Sequence, residues 1–136
     1  MKEKIFYENV SENSIHQIIN SLRLTADGLI PAIAQQYDTK EVLMMAWMNK
    51  EAIRETLLTG QICYWSRSRQ SLWRKGATSG NIQILQEFRW DCDSDAILVL
   101  IDQKGVACHT GRRRCFYNAL RDGKTVIITS FETKEL

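Results

Sequence analysis

Residues 91–117 read D-C-D-S-D-A-I-L-V-L-I-D-Q-K-G-V-A-C-H-T-G-R-R-R-C-F-Y, and the fold turns on how this stretch is laid out. Ala96 to Asp102 is an apolar run of strand length. If strand geometry extends back to Asp91, then Asp91, Asp93 and Asp95 point to one face, and Cys92 and Ser94 to the other. Three like charges repel and resist desolvation, so that face is a poor core. It suits a hard divalent cation, which prefers oxygen ligands. The opposite face offers a thiol, which suits a softer metal such as zinc. One strand would then serve two metals.

Working outward, Ile82 to Trp90 is a second strand, and Gln103-Lys104-Gly105 is a turn. Cys115 to Leu120 and Thr125 to Phe131 are predicted as a last hairpin turning at Asp122-Gly123. Upstream, Ile62 to Ser66 is a strand, and Ile33 to Tyr37 and Val42 to Met48 are two more, joined by Asp38-Thr39-Lys40-Glu41. The run V-L-M-M-A-W-M would serve equally as a buried helical segment. Helical spacing appears at Ile15, Ile18, Ile19 and Leu22, within Ser14 to Leu24. A loop with Asp27-Gly28 and Pro31 follows it. A second helix runs from the N-cap Asn49 to the stop Gly60, with Ala52, Ile53, Leu57 and Leu58 on one face. Residues 1–13 are expected to be frayed. The pattern is α+β, a single domain over residues 1–136, mostly antiparallel, with two or three short helices.

With 44% hydrophobic and 25% charged residues in 136, the chain is expected to be one soluble globular domain. A net charge of +2 is too small to signal nucleic acid. The N-terminal M-K-E-K-I-F-Y-E-N-V is unlike a signal peptide, and no stretch approaches the roughly 20 apolar residues of a membrane span. Four cysteines without an export signal point to the cytoplasm, where thiols bind metal or catalyse.

Cys92, Cys108 and Cys115 form C-x15-C-x6-C, which lacks the paired knuckles of structural zinc modules. Three small buried hydrophobes are the plainer alternative. Three thiols would nevertheless leave a zinc position open for water, whose pKa then falls to about 7. His109 could be a fourth ligand or a base acting on that water. Cys63, in an apolar strand, reads as core. From Ser66 to Asn81, S-R-S-R-Q-S-L-W-R-K-G-A-T-S-G-N reads as a polar loop carrying Arg67, Arg69, Arg74 and Lys75 around Trp73. Its two glycines lie near Thr78 and Ser79. Freed backbone amides, hydroxyls and cations together can cradle phosphate; a solvated loop is the alternative. Arg112, Arg113 and Arg114 could converge on an anion or form a solvated basic surface. The two basic clusters together suggest a substrate with more than one phosphate.

Three blocks resemble the phosphoribosyl-AMP cyclohydrolase family: Met44 to Ala52, Tyr64 to Asn81, and D-C-D-S-D with A-C-H-T-G-R-R-R-C-F-Y inside 91–117. They fall in the family's order. The chain departs from the family at Ser94, where glycine is usual, at Ala77, where glutamate is, and at Arg114, where serine is. The resemblance implies a compact, barrel-like, mostly antiparallel fold and a homodimer with zinc thiolates from both chains. Cys92 of one chain would join Cys108 and Cys115 of the other. It implies magnesium at Asp91, Asp93 and Asp95, and a phosphorylated nucleotide as substrate, with no nucleic acid or membrane as partner. The substrate would be held by Arg67, Arg69, Trp73, Lys75, Thr78, Ser79, Gly80, Arg112 and Arg113. The implied reaction is a histidine-biosynthesis step that opens the adenine ring between N1 and C6, with zinc-activated water as nucleophile and His109 moving protons. The chain is expected to lack the pyrophosphohydrolase domain fused to some members. A zinc nucleobase deaminase would need H-x-E and P-C-x-x-C signatures, which are absent. A zinc-binding nucleic-acid module would need a closed four-ligand site.

Overall fold

The computed structural model describes residues 10–131; the start of the expected frayed segment, residues 1–9, lies outside them. Helix α1 spans Glu12–Ser21, capped by Ser11, whose side chain accepts the Ser14 N–H at 3.0 Å. It begins two residues before the predicted Ser14 because this cap, not the first isoleucine, starts it. Strands β1 (Ile30–Gln36) and β2 (Val42–Met48) follow as an antiparallel pair. The ambiguous V-L-M-M-A-W-M is thus a strand. Pro31 belongs to β1 rather than to the preceding loop; the ladder on its other side starts only at Ala32, so the missing N–H costs no bond there.

Helix α2 (Lys50–Thr59) starts at Asn49, whose Oδ1 accepts the Ala52 N–H at 2.8 Å, and ends at Gly60 in the left-handed region. Its buried face is Ala52, Ile53, Thr56 and Leu57; Leu58, expected there, is exposed. Thr56 takes the inward place because its hydroxyl accepts the Cys63 N–H at 2.9 Å and donates to Cys63 O. Cys63 itself is core, as read.

Strands β3 (Cys63–Ser66) and β4 (Ser71–Arg74) form a hairpin, so the polar stretch from Ser66 is not all loop. Strands β5 (Gln83–Trp90) and β6 (Ile97–Gln103) form the next, and β7 (Asn118–Arg121) with β8 (Lys124–Ile127) the last, turning at Asp122-Gly123 as predicted. The main sheet has six strands in the order β4-β3-β2-β1-β6-β5, antiparallel except for β1 beside β6. Gln61 bridges Ile84, bringing the start of β3 to β5 at the opposite edge and curling the sheet into a half-barrel. Ala32, Ala34, Met48, Tyr64, Leu85, Val99 and Ile101 line its inside with Ile53 and Ile15 of the helices. No helix among the described residues is long and apolar enough to cross a membrane.

One reading fails here. Asp91 to Asp95 is the β5–β6 turn, not a strand. Trp90 pairs Ile97, the Ser94 N–H donates to Asp91 O at 3.0 Å, and Asp91 Oδ1 accepts the Asp95 N–H at 3.1 Å. Aspartate and serine are turn formers through such side-chain bonds, and here that chemistry outweighs the period-2 pattern. The two opposed faces therefore do not exist. Ser94 has φ +61°, a region that favours glycine, which accounts for the family's usual residue there.

Candidate active site

Two loops meet at the mouth of the half-barrel. The first continues from β4. Opposite Tyr64 stands Trp73, with ring centroids 5.3 Å apart. Beyond it, Lys75 N–H donates to Ile62 O, and Gly80 N–H closes back on Gly76 O at 2.8 Å. The second loop leaves β6. Cys108 N–H donates to Arg112 O, Ala107 N–H to Arg113 O, and Cys115 N–H to Leu43 O on β2. The Lys75 ammonium joins the loops by donating to Ala107 O at 2.8 Å. Between them lies a cleft of about 570 Å³. Arg69, Trp73, Lys75, Thr78 and Ser79 line one side; Cys108 and His109 line the other.

The thiols of Cys108 and Cys115 are near enough to shift each other's acidity. Burial, then the neighbouring Cys108, pushes the Cys115 thiol up to about 11. Burial also pushes Cys108 up, but hydrogen bonds from Thr110 and Cys115 and the Arg112 charge outweigh it and hold this thiol below its ordinary value. Thr110 Oγ1 lies 3.1 Å from Cys108 Sγ. Cys108 is thus the readier thiolate. Burial lowers the Lys75 pKa, with the two thiols opposing that shift.

Other predicted residues stand apart from this cleft. Arg67 lies over the Trp47 ring at 5.0 Å, in an adjoining groove that shares Arg69 and Trp73 with the cleft. Gly80 is in the first loop but off the cleft wall. Arg112 is stacked between the Tyr117 and Phe131 rings, 4.1 Å from each, and donates to Thr129 O. Arg113 donates to Glu41 and to Gly105 O. Arg74 does line the cleft, but its guanidinium is engaged bidentately by Glu55 at 2.5 and 2.9 Å.

Cys92 is exposed in the β5–β6 turn, at the start of β6, whereas Cys115 is anchored on β2, two strands away. Leu43 is level with Val99 and Leu100 of β6, so the two thiols are separated along the strand as well as across two strand spacings of about 4.8 Å, beyond the reach of one zinc with bonds of about 2.3 Å. Among the described residues, no three His, Cys, Asp or Glu side chains converge to hold a metal. In the turn, desolvation and then the charges of Asp91 and Asp93 push the Asp95 carboxyl up, so the three carboxylates sense one another.

Gln83, Gln103 and Asn81 were not singled out from the sequence, yet they bind the two loops together. The signal available was that Gln83 alternates with Leu85, and Gln103 with Ile101 and Val99, on the inward faces of their strands.

A recessed cleft with cations and hydroxyls on one wall and a thiol and an imidazole on the other is built for an enzyme acting on a small anionic molecule. A family model described as phosphoribosyl-AMP cyclohydrolase matches residues 44–117, which include both walls. The phosphoribosyl-AMP cyclohydrolase of Rhodospirillum centenum is 63% identical over 118 residues, covering 87% of this chain and 89% of that one. That of Hydrogenovibrio crunogenus is 66% identical over 104 residues, covering 76% and 71%. The chain belongs to the phosphoribosyl-AMP cyclohydrolase family, hydrolases of histidine biosynthesis.

Proposed function

We propose that this protein hydrolyses phosphoribosyl-AMP, opening the adenine ring between N1 and C6. The observation that carries this reading is the single cleft in which the basic, hydroxyl-bearing loop faces Cys108 and His109 within the matched segment. Arg69, Lys75, Thr78 and Ser79 bind one phosphate, with Gly80 shaping their loop and Trp73 offering a ring face to the base. Arg67, beside the cleft, and Arg112 and Arg113, within the second loop, supply charge for the other. Ribose phosphate on N1 makes C6 electrophilic, so water adds there and the C6–N1 bond breaks. His109, exposed on the cleft wall, accepts the water's proton and returns one to N1.

The donor chemistry fits zinc at the paired thiols of Cys108 and Cys115, with Cys92 of a second chain as third ligand in a homodimer. Zinc there would supply Lewis acidity that brings a water's pKa near 7. Asp91, Asp93 and Asp95 put three carboxylates on one exposed turn, the donor type magnesium takes, although their side chains do not converge as a ready-made site. The setting is the cytoplasm, where the four free cysteines stay reduced. The test is a spectrophotometric assay of ring opening with purified, metal-replete protein. Unchanged phosphoribosyl-AMP would sink the proposal.

A further inference from the structure

A row of buried polar side chains runs out of the core and ends at both walls of the cleft. Gln83 and Gln103 face each other across β5 and β6, 0% and 5% exposed. Tyr64, also fully buried, donates its hydroxyl to Gln83 Oε1 at 2.7 Å. Gln83 Nε2 donates to Gln103 Oε1 at 2.8 Å. Gln103 Nε2 then donates to Lys104 O at 3.0 Å and to Asn81 O at 3.2 Å, with Val106 O further off at 3.4 Å. Only carbonyls surround this nitrogen, so the amide has one workable orientation, and that orientation sets Gln83 and the hydroxyl in turn. Asn81 closes the loop that carries Thr78 and Ser79; Lys104 opens the loop that carries Cys108 and His109. An apolar pair at 83 and 103 would fill this end of the sheet with less desolvation, but it would remove the amide that ties Asn81 O on one loop to Lys104 O and Val106 O on the other.

We propose that Gln103 is a positioning residue for the ring-opening reaction: it sets the spacing between the phosphate-binding loop and the loop of His109. This rests on the proposed substrate for its kinetic consequences, not for the tether itself. The test compares Gln103→Leu and Tyr64→Phe with Thr56→Val, a control that loses a buried hydroxyl on α2 with no bond to either loop. Each is assayed metal-replete, below its melting transition, for KM, kcat and amide exchange over residues 76–82 and 104–111.

Gln103→Leu is expected to lower kcat/KM about tenfold or more, with KM rising, because a lost buried partner weakens the loop geometry. Exchange in both loops should quicken together. Tyr64→Phe should move the same quantities less, and Thr56→Val should lower the melting temperature only. Wild-type kinetics and wild-type loop exchange in Gln103→Leu would overturn the proposal. If that variant does not fold, Tyr64→Phe decides by the same readings. A wild-type protein inactive on phosphoribosyl-AMP would strike the proposed function, while loop exchange would still decide the tether.

Discussion

Replacing Gly76 and Gly80 by alanine, one at a time, separates two costs within a single loop. Both residues have left-handed backbone, with φ +80° and +87°. A side chain there costs roughly 1–2 kcal/mol. At Gly80 nothing lies within 4 Å of the added Cβ, so the backbone cost is the whole expected loss. At Gly76 the new atom would stand 2.4 Å from Asn81 C and Ile82 N, and 2.6 Å from Asn81 O. These are main-chain atoms that cannot rotate away. Asn81 O is held by Gln103, and Ile82 O accepts the Lys104 N–H at 2.9 Å. Forcing a group into such a space adds about 1–3 kcal/mol. Gly76→Ala should therefore cost about 2–5 kcal/mol, against about 1–2 kcal/mol for Gly80→Ala. Urea unfolding followed by the fluorescence of the four tryptophans measures both. Equal losses in the two variants would refute the reasoning, because the close approach at Gly76 would then carry no weight.

Arg69→Ala should raise KM by roughly ten-fold or more, since a charged hydrogen bond is worth about 1.5–3 kcal/mol, and an unaltered KM would mean the arginine is only a solvated surface group. Arg74→Ala, in contrast, should change KM less than Arg69→Ala, because Glu55 already holds its guanidinium, and as an exposed ion pair it should shift the melting temperature little. Ser94→Gly should stabilise by about 0.5–1 kcal/mol by relieving φ +61°; a destabilised variant would contradict the strained turn. Neither Cys92→Ala nor Cys115→Ala alone should be active, yet mixing the two with subunit exchange should restore activity and zinc. No recovery, with exchange verified by mass-tagged subunits, would leave only an intrachain site.

What was legible in the sequence was local. Asn49 and Gly60 announce α2 because a cap involves bonds between near neighbours, and the Asp122-Gly123 hairpin is legible for the same reason. The turn at Asp91 was misread because D-C-D-S-D satisfies a strand's alternation while its residue types favour a turn, and only the Trp90–Ile97 register decides between them. β4 has two apolar residues in four and becomes a strand through pairing with β3. The half-barrel curl depends on Gln61 meeting Ile84, a contact no local pattern encodes. In the cleft, the types of residue were visible as charges and hydroxyls. Which arginines are engaged was not, since the glutamates that hold Arg74 and Arg113 lie 19 and 72 residues away in sequence.

The misread turn alters the logic of the proposed metal sites. Laid out as a strand, one element would serve zinc on one face and magnesium on the other. A hairpin tip instead projects Cys92 and the carboxylates outward together, with Cys115 across the sheet and no third donor converging on it among the described residues. The tip is also held: Arg23 N–H donates to Ser94 O at 2.7 Å, fixing it against the segment that follows α1. An exposed thiol on a braced tip, and a buried and a half-buried thiol lacking a third, would be complementary halves in the proposed homodimer. Two-fold symmetry would join each half to its counterpart twice, giving two equivalent centres per dimer. Under that arrangement neither loop geometry nor thiol acidity within one chain is sufficient for the reaction, and assembly itself completes the catalytic site.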